Sequence, residues 1–195
     1  MQPPPTTSGP APPALAGGGA GVGPRVRALR EERGISLSEL ARRASVGKAT
    51  LSGLETGTRN PTLETLQSVA AALGLPLTAL LGDPGAVAAG AIRGAAVDMR
   101  LLRVFDDGPV TYELYRMRVP AGLAQTSPAH HDGVTEHVTV FAGRLRTGPL
   151  DGPLLVGPGE HAEWRADAPH GYAALGDADV LASLLIRYPR PAPPR

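Results

Sequence analysis

The stretch Gly34–Gly57 reads Gly-Ile-Ser-Leu-Ser-Glu-Leu-Ala-Arg-Arg-Ala-Ser-Val-Gly-Lys-Ala-Thr-Leu-Ser-Gly-Leu-Glu-Thr-Gly. Its apolar residues fall at helical spacing in two short runs broken near Val46 and Gly47. Leu37, Leu40, Ala41 and Ala44 stand three or four apart and share one face of a first helix, with Arg42 and Arg43 turned to water. A second run follows over Lys48–Glu55. There Leu51 and Leu54 continue a buried stripe, while Lys48, Ala49, Ser52 and Gly53 lie on the opposite, open face. Two short helices joined by so tight a turn can both bury their stripes only by crossing steeply. The spacing predicts a helix-turn-helix, a unit whose second helix can enter a DNA major groove.

Outward from this centre, more helices are expected. Pro24 suits a first helical position, and Val26, Leu29 and Arg30 carry that helix to Gly34, which can end it in the left-handed conformation. Ser36 or Ser38 can cap the next helix. Thr56–Pro61 reads as a loop. Thr62 and Thr65 open a fourth helix carrying Leu63, Leu66, Val69, Ala70 and Leu73; Gly74 closes it, and Leu77–Leu81 makes a short fifth. The expected domain is 24–82. Residues 1–23 hold Pro, Gly, Ala and Thr without charge and are expected to form a disordered arm. Residues 83–96 read as a Gly- and Ala-rich linker.

From Val97 the apolar period becomes two. Tyr112, Leu114, Tyr115, Met117 and Val119 form one such run, Val134, His137, Val138, Val140 and Phe141 another, and Val180–Ile186 a third. Gly-Pro and Asp-Gly pairs punctuate them at Asp107–Pro109, Thr147–Pro149, Asp151–Pro153 and Gly157–Gly159. An antiparallel sandwich or barrel over 97–188 is expected, with 189–195 a proline-rich tail.

A chain of 195 residues has room for two small domains. Its formal net charge of +1 hides a division: eight basic against five acidic residues in Pro24–Gly82, nine against thirteen in Asp83–Tyr188. That division suits a front that meets phosphate and a rear that does not. Lys48 is the sole lysine among 19 basic residues. Absence of cysteine excludes disulfides, thiolate catalysis and cysteine-ligated zinc. No apolar run approaches the roughly 20 residues of a membrane span, so a cytoplasmic protein without a membrane partner is expected.

The front domain resembles the Xre, or lambda-repressor-like, DNA-binding family. The matching residues are Leu29, Arg30, Gly34, Glu39-Leu40-Ala41, Val46, Thr50-Leu51-Ser52, Leu54-Glu55, Gly57, Asn60-Pro61, Thr62-Leu63 and Leu73-Gly74. The resemblance implies base contacts from Lys48, Ala49 and Gly53, with Thr50 and Ser52 nearby. Lys48 can donate to guanine and Ala49 can meet a thymine methyl, whereas Gly53 offers no side chain. Leu37 stands where the family often has a glutamine that braces the recognition helix; Arg42, Arg43, Arg59 and Asn60 are candidate phosphate contacts.

The rear domain resembles the cupin fold. Glu136–Gly143 matches the end of the first cupin motif, and Gly159 with His170, inside the phrase Asp167–Tyr172, matches the second. Together the two resemblances imply a five-helix all-α domain followed by an all-β cupin domain (a double-stranded β-helix, or jelly roll), as in Xre-cupin transcriptional regulators. Metal-binding cupins draw their ligands from both motifs. The matching residues are His131, Glu136 and His170, with His130 as the alternative to His131 and Ala129 where a further histidine would stand. Such a site would suit Zn, Ni, Fe or Mn. An effector pocket lined by Tyr112, Tyr115, Arg116, His131, Glu136, Phe141, Trp164, His170 and Tyr172 is expected.

The expected function is a sequence-specific transcriptional repressor, a homodimer on a pseudo-palindromic operator in double-stranded DNA, answering to a small-molecule effector and not an enzyme. The alternative is a metal-dependent cupin enzyme, an isomerase or dioxygenase, with an autoregulatory DNA-binding domain.

Overall fold

The computed structural model describes residues 19–81, 91–93 and 96–189. Five helices come first: α1 (Gly19–Glu32), α2 (Leu37–Arg43), α3 (Lys48–Glu55), α4 (Leu63–Leu73) and α5 (Leu77–Leu81). Their ends follow from local chemistry. The Ser36 hydroxyl caps α2 by accepting the Glu39 N–H at 3.2 Å, and Thr62 caps α4 through the Thr65 N–H at 3.2 Å. Gly74 closes α4 at φ 66°, where a side chain would be strained. Leu40, Leu51, Leu54, Leu63, Leu66 and Val69 form the buried centre of this domain.

α1 begins earlier than expected, inside the stretch read as an arm. Val22 lies one turn before Val26 and joins the same core, which extends the helix toward the N-terminus. Gly23 passes so close to α3 that a Cβ there would stand 2.2 Å from the Leu54 carbonyl oxygen. Arg30 then grips the end of α3: its Nε and a terminal nitrogen donate to the two Glu55 carboxylate oxygens at 2.7 and 2.8 Å, and its other terminal nitrogen donates to the Ile35 carbonyl at 3.0 Å. This buried pair fixes the recognition helix from behind.

Ten strands follow among the described residues: β1 (Ala91–Arg93), β2 (Asp98–Asp107), β3 (Val110–Val119), β4 (Ala124–Ser127), β5 (Thr135–Ala142), β6 (Arg144–Pro149), β7 (Leu154–Val156), β8 (His161–Arg165), β9 (His170–Leu175) and β10 (Val180–Pro189). All pairings are antiparallel, in a six-stranded sheet ordered β1-β2-β3-β10-β5-β8 and a four-stranded sheet ordered β4-β9-β6-β7. β1 pairs with β2 within the expected linker, so part of that segment belongs to the sheet.

Between the sheets lie the alternate residues of each strand: Tyr115, Met117 and Val119 from β3, Val138 and Val140 from β5, Tyr172 and Ala174 from β9, and Val180 to Ile186 in steps of two from β10. This is the expected cupin fold. Gly143, at the end of the first motif, is fixed by space as well as by φ 77°, since a Cβ would stand 2.5 Å from the Asp179 carbonyl oxygen. Residues 1–18, 82–90, 94–95 and 190–195, which include most of the expected arm, linker and tail, lie outside the described residues. No helix among the described residues is long and apolar enough to cross a membrane.

Candidate functional site

Two arrangements of side chains stand out, one on α3 and one inside the barrel. Gly47, the N-cap of α3, has no side chain to bond the first helical amides, and Lys48 and Ala49 stand exposed beside them. Thr50 and Ser52 are half-buried and Asn60 is exposed. Leu37, where the family often has a glutamine, packs half-buried against the core.

Gly53 departs from the expectation of an open position. It is buried because the stem of Arg59 lies across it: a Cβ built on Gly53 would meet Arg59 Cγ at 2.9 Å and Cδ at 3.0 Å. A residue from the loop after α3 therefore occupies the place where the helix itself has no side chain. Arg42 and Arg43 are exposed but engaged with each other's partner. Glu39 accepts from Arg42 at 2.7 and 3.0 Å and from Arg43 at 2.7 Å.

Inside the barrel, Glu136 of β5 is the centre. One of its oxygens accepts from His130 Nε2 at 2.9 Å, and the other takes the Tyr172 hydroxyl in a short hydrogen bond. His170 Nε2 approaches the first oxygen at 3.2 Å without hydrogen-bond geometry, which leaves a buried ring nitrogen unpartnered. Its other nitrogen, Nδ1, lies 2.9 Å from the Ala168 carbonyl, so Nε2 is the one that points inward. The His130 and His170 rings stack at 5.6 Å, with Trp164 6.2 Å from both His170 and Tyr172.

Burial by itself would raise the Glu136 carboxyl. The nearby His170 charge and the hydrogen bond from His130 overcome it and hold the group well below the usual carboxylate range. For His170, burial favours the neutral ring, but the Glu136 carboxylate outweighs it and raises the imidazole. Burial and the same carboxylate push Tyr172 far up. One donor atom from each of His130, Glu136 and His170 falls within 4.8 Å of the other two. Two imidazoles, one of them with an unpartnered ring nitrogen, and a carboxylate fit a divalent first-row metal.

Several expected pocket residues stand elsewhere. His131 turns away from the barrel interior, its Nε2 3.4 Å from the Pro189 carbonyl. His130 takes the inner place because these residues form a loop between β4 and β5, where strand alternation does not apply. That loop is pinned by the His130 N–H to the Ala166 carbonyl at 2.8 Å. Tyr112 lies on the outer face, stacked on Phe105 at 5.0 Å. Arg116 is exposed, as is Phe141 at 62%. These three alternate with the inward residues Glu113, Tyr115 and Val140, so they point out. Glu136, Trp164, His170 and Tyr172 are all inside.

Sequence reading missed Glu113, Tyr188 and Gln125, all of them buried. Gln125 accepts the N–H groups of Ala96 and Val97 at 3.1 and 3.2 Å, which ties the start of the barrel to β4. Glu113 shares a face with Tyr115 and Met117 by simple alternation, the one local signal that pointed to it.

The HTH_3 helix-turn-helix family matches residues 26–80. The HTH-type transcriptional regulator SutR of Escherichia coli (strain K12) is 31% identical over 167 residues, 85% of this chain and 93% of that protein. The HTH-type transcriptional regulator SinR of Bacillus subtilis (strain 168) is 40% identical over 63 residues, 32% of this chain and 57% of its own length. Among solved structures, an HTH_3 family transcriptional regulator from Vibrio cholerae superposes with a TM-score of 0.80 at 26% identity, over 89% of this chain and 98% of that one. With both of its domains inside the longer matches, the chain belongs to the Xre-type HTH transcriptional regulators, a helix-turn-helix domain followed by a cupin domain.

Proposed function

We propose that the protein represses transcription as a homodimer on a pseudo-palindromic operator, and that a small-molecule effector read by the cupin domain alters that binding. The observation that carries the proposal is the buried junction between the domains. Glu113 of β3 accepts hydrogen bonds from Thr78 of α5, and Tyr188, whose ring sits edge-on to His130 at 5.6 Å, lines the same junction. A cavity of about 490 Å³ opens there, walled by Arg33, Thr78, His131 and Tyr188 among others. A small molecule held in it would touch both domains, so its affinity would depend on how they sit against each other.

Lys48 and Ala49 would read base edges, while Arg42, Arg43, Arg59 and Asn60 would hold phosphates. One such domain has little recognition surface, and two related by a two-fold axis would read half-sites about one helical turn apart. A divalent ion (Zn, Ni, Fe or Mn) at His130, Glu136 and His170 would supply a Lewis acid inside the barrel, behind the Tyr188 ring that walls this cavity.

Selection of bound fragments from genomic DNA tests this reading. Inverted-repeat sites beside a small-molecule pathway are expected, and binding to them should fall when the metabolite of that pathway is added. Enrichment of no site, or of sites without two-fold symmetry, counts against it. The two-histidine, one-carboxylate donor set also favours a metal-dependent isomerase or dioxygenase with an autoregulatory front domain. Turnover by protein carrying stoichiometric iron or nickel, lost in Glu136→Gln while operator binding persists, would move the conclusion there.

A further inference from the structure

The outer face of β5 carries a second constellation, back to back with the first. Glu136 points inward and its neighbour His137 points out, directly across from Glu163 on the edge strand β8. His137 Nδ1 lies 3.2 Å from a Glu163 carboxylate oxygen, and the His161 ring, also on β8, stacks on that of His137 at 5.8 Å. One donor atom from each of the three residues falls within 4.8 Å of the other two.

We propose that His137, His161 and Glu163 form a surface site for a first-row divalent cation of the zinc class, separate from the barrel site. Two imidazole nitrogens and one carboxylate oxygen are the donors such ions take, whereas calcium and magnesium call for a shell of oxygens. Bonds of about 2.0–2.2 Å in a tetrahedron hold donors roughly 3.3 Å apart. The three groups therefore need to close by side-chain rotation alone, and Glu163 and His161 are exposed enough to turn.

Both rings are already oriented from outside the donor set. The Thr135 hydroxyl lies 3.2 Å from His137 Nε2, leaving Nδ1 toward Glu163, and the Thr139 hydroxyl lies 3.2 Å from His161 Nδ1. Hydroxyls so placed hold the ring angle and can accept from or donate to the ring nitrogen they face, an outer-shell position of the kind found around metal centres. Three protein donors leave a fourth position open to water or to a donor from another molecule. An ion bound here would fasten the edge strand β8 to β5, on the opposite side of the sheet from Glu136.

Zinc titration of the metal-stripped full chain, followed by competition with a chromophoric chelator, tests the site. His161→Ala and Glu163→Gln should each bind one equivalent fewer than the wild type. Thr139→Val should keep that equivalent but hold it about 10–100-fold more weakly. Retention of wild-type stoichiometry and affinity by either His161→Ala or Glu163→Gln would overturn the proposal. Failure of the barrel site reads out separately, as unchanged zinc uptake in Glu136→Gln.

Discussion

Glu113 of β3 accepts the backbone N–H of Thr78 in α5 at 3.0 Å and also takes the Thr78 hydroxyl, while its second oxygen accepts from the Tyr115 hydroxyl at 2.7 Å. All three side chains are buried. The first amides of a helix have no partner within it, and here a carboxyl group of the other domain supplies one. From Tyr115 and Tyr188, which both lie in the field of Glu113, the next ring inward is His130 of the barrel site. The helical domain thus rests on the same group of side chains that lines the barrel.

Glu113→Ala should loosen that seat. It strands two donors of Thr78 and the Tyr115 hydroxyl, and each buried group without a partner costs about 1–3 kcal/mol. Calorimetry should show lower overall stability and wider separation between unfolding of the two domains. Effector-free operator affinity should be unchanged, since α3 lies away from the junction, and the effector response should be lost. An unaltered thermogram with an intact response would show that the junction transmits nothing.

The Arg59 stem over Gly53 makes another prediction, because it separates two kinds of contact on one helix. Lys48→Ala should cost about 1–3 kcal/mol on the preferred site and relax its sequence preference. Arg59→Ala should weaken all sequences alike and reduce the slope of log K against log salt by about 1. Gly53→Ala adds a methyl group where Arg59 Cγ would stand only 2.9 Å away, so it should displace that side chain and behave like Arg59→Ala. Anisotropy titrations over a range of salt distinguish these outcomes; a Gly53→Ala slope equal to that of the wild type would mean that Arg59 reaches phosphate from its displaced position too.

The helices were legible because their signals are local. A period near 3.6 sets the buried faces, and Ser36, Thr62 and Gly74 mark the ends. The start of α1 was hidden because Val22 stands alone among glycines, without a periodic neighbour before it. In the barrel, composition and punctuation marked out strands but not register, and a slip of one residue reverses every side chain. Tyr112, Arg116 and Phe141 were misplaced for that reason. His131 was misplaced because a loop, not a strand, carries it. Glu113 shares its face with Tyr115 and Met117, but its donor Thr78 lies in another domain, and no local pattern encodes such a partner.

Glu39 holds Arg42 and Arg43 together, so Glu39→Gln should release both for phosphate. Nonspecific DNA binding should tighten, and its salt slope should steepen by up to about 2. Hydrogen bonds from Arg42, then from Arg43, draw the Glu39 carboxyl down to about 2. Because that lies below its ordinary value of 4.5, whatever the pairing adds to stability is present above pH 4.5 and fades as the pH falls toward 2. Carboxyl chemical shifts followed through an acid titration check the position directly. A Glu39 that titrates at its ordinary value would mean that the arginines are free in solution, and the substitution should then leave DNA binding as it was.

The neighbouring pair His130 and His131 gives the sharpest test of the barrel site, since the two differ in direction and not in chemistry. His130 Nε2 is 2.9 Å from Glu136, whereas His131 Nε2 reaches the Pro189 carbonyl at the domain junction. His130→Ala removes one of three donors and should abolish tight zinc uptake by the barrel site, leaving the outer-face equivalent in place. His131→Ala should bind zinc as the wild type does. It also removes a wall of the junction cavity, so its effect should fall on the effector response. The reverse result, zinc uptake lost with His131 and kept without His130, would require the loop between β4 and β5 to turn over when metal binds. That turn would break the His130 N–H bond to Ala166, and hydrogen exchange at His130 would then speed up on adding zinc instead of slowing.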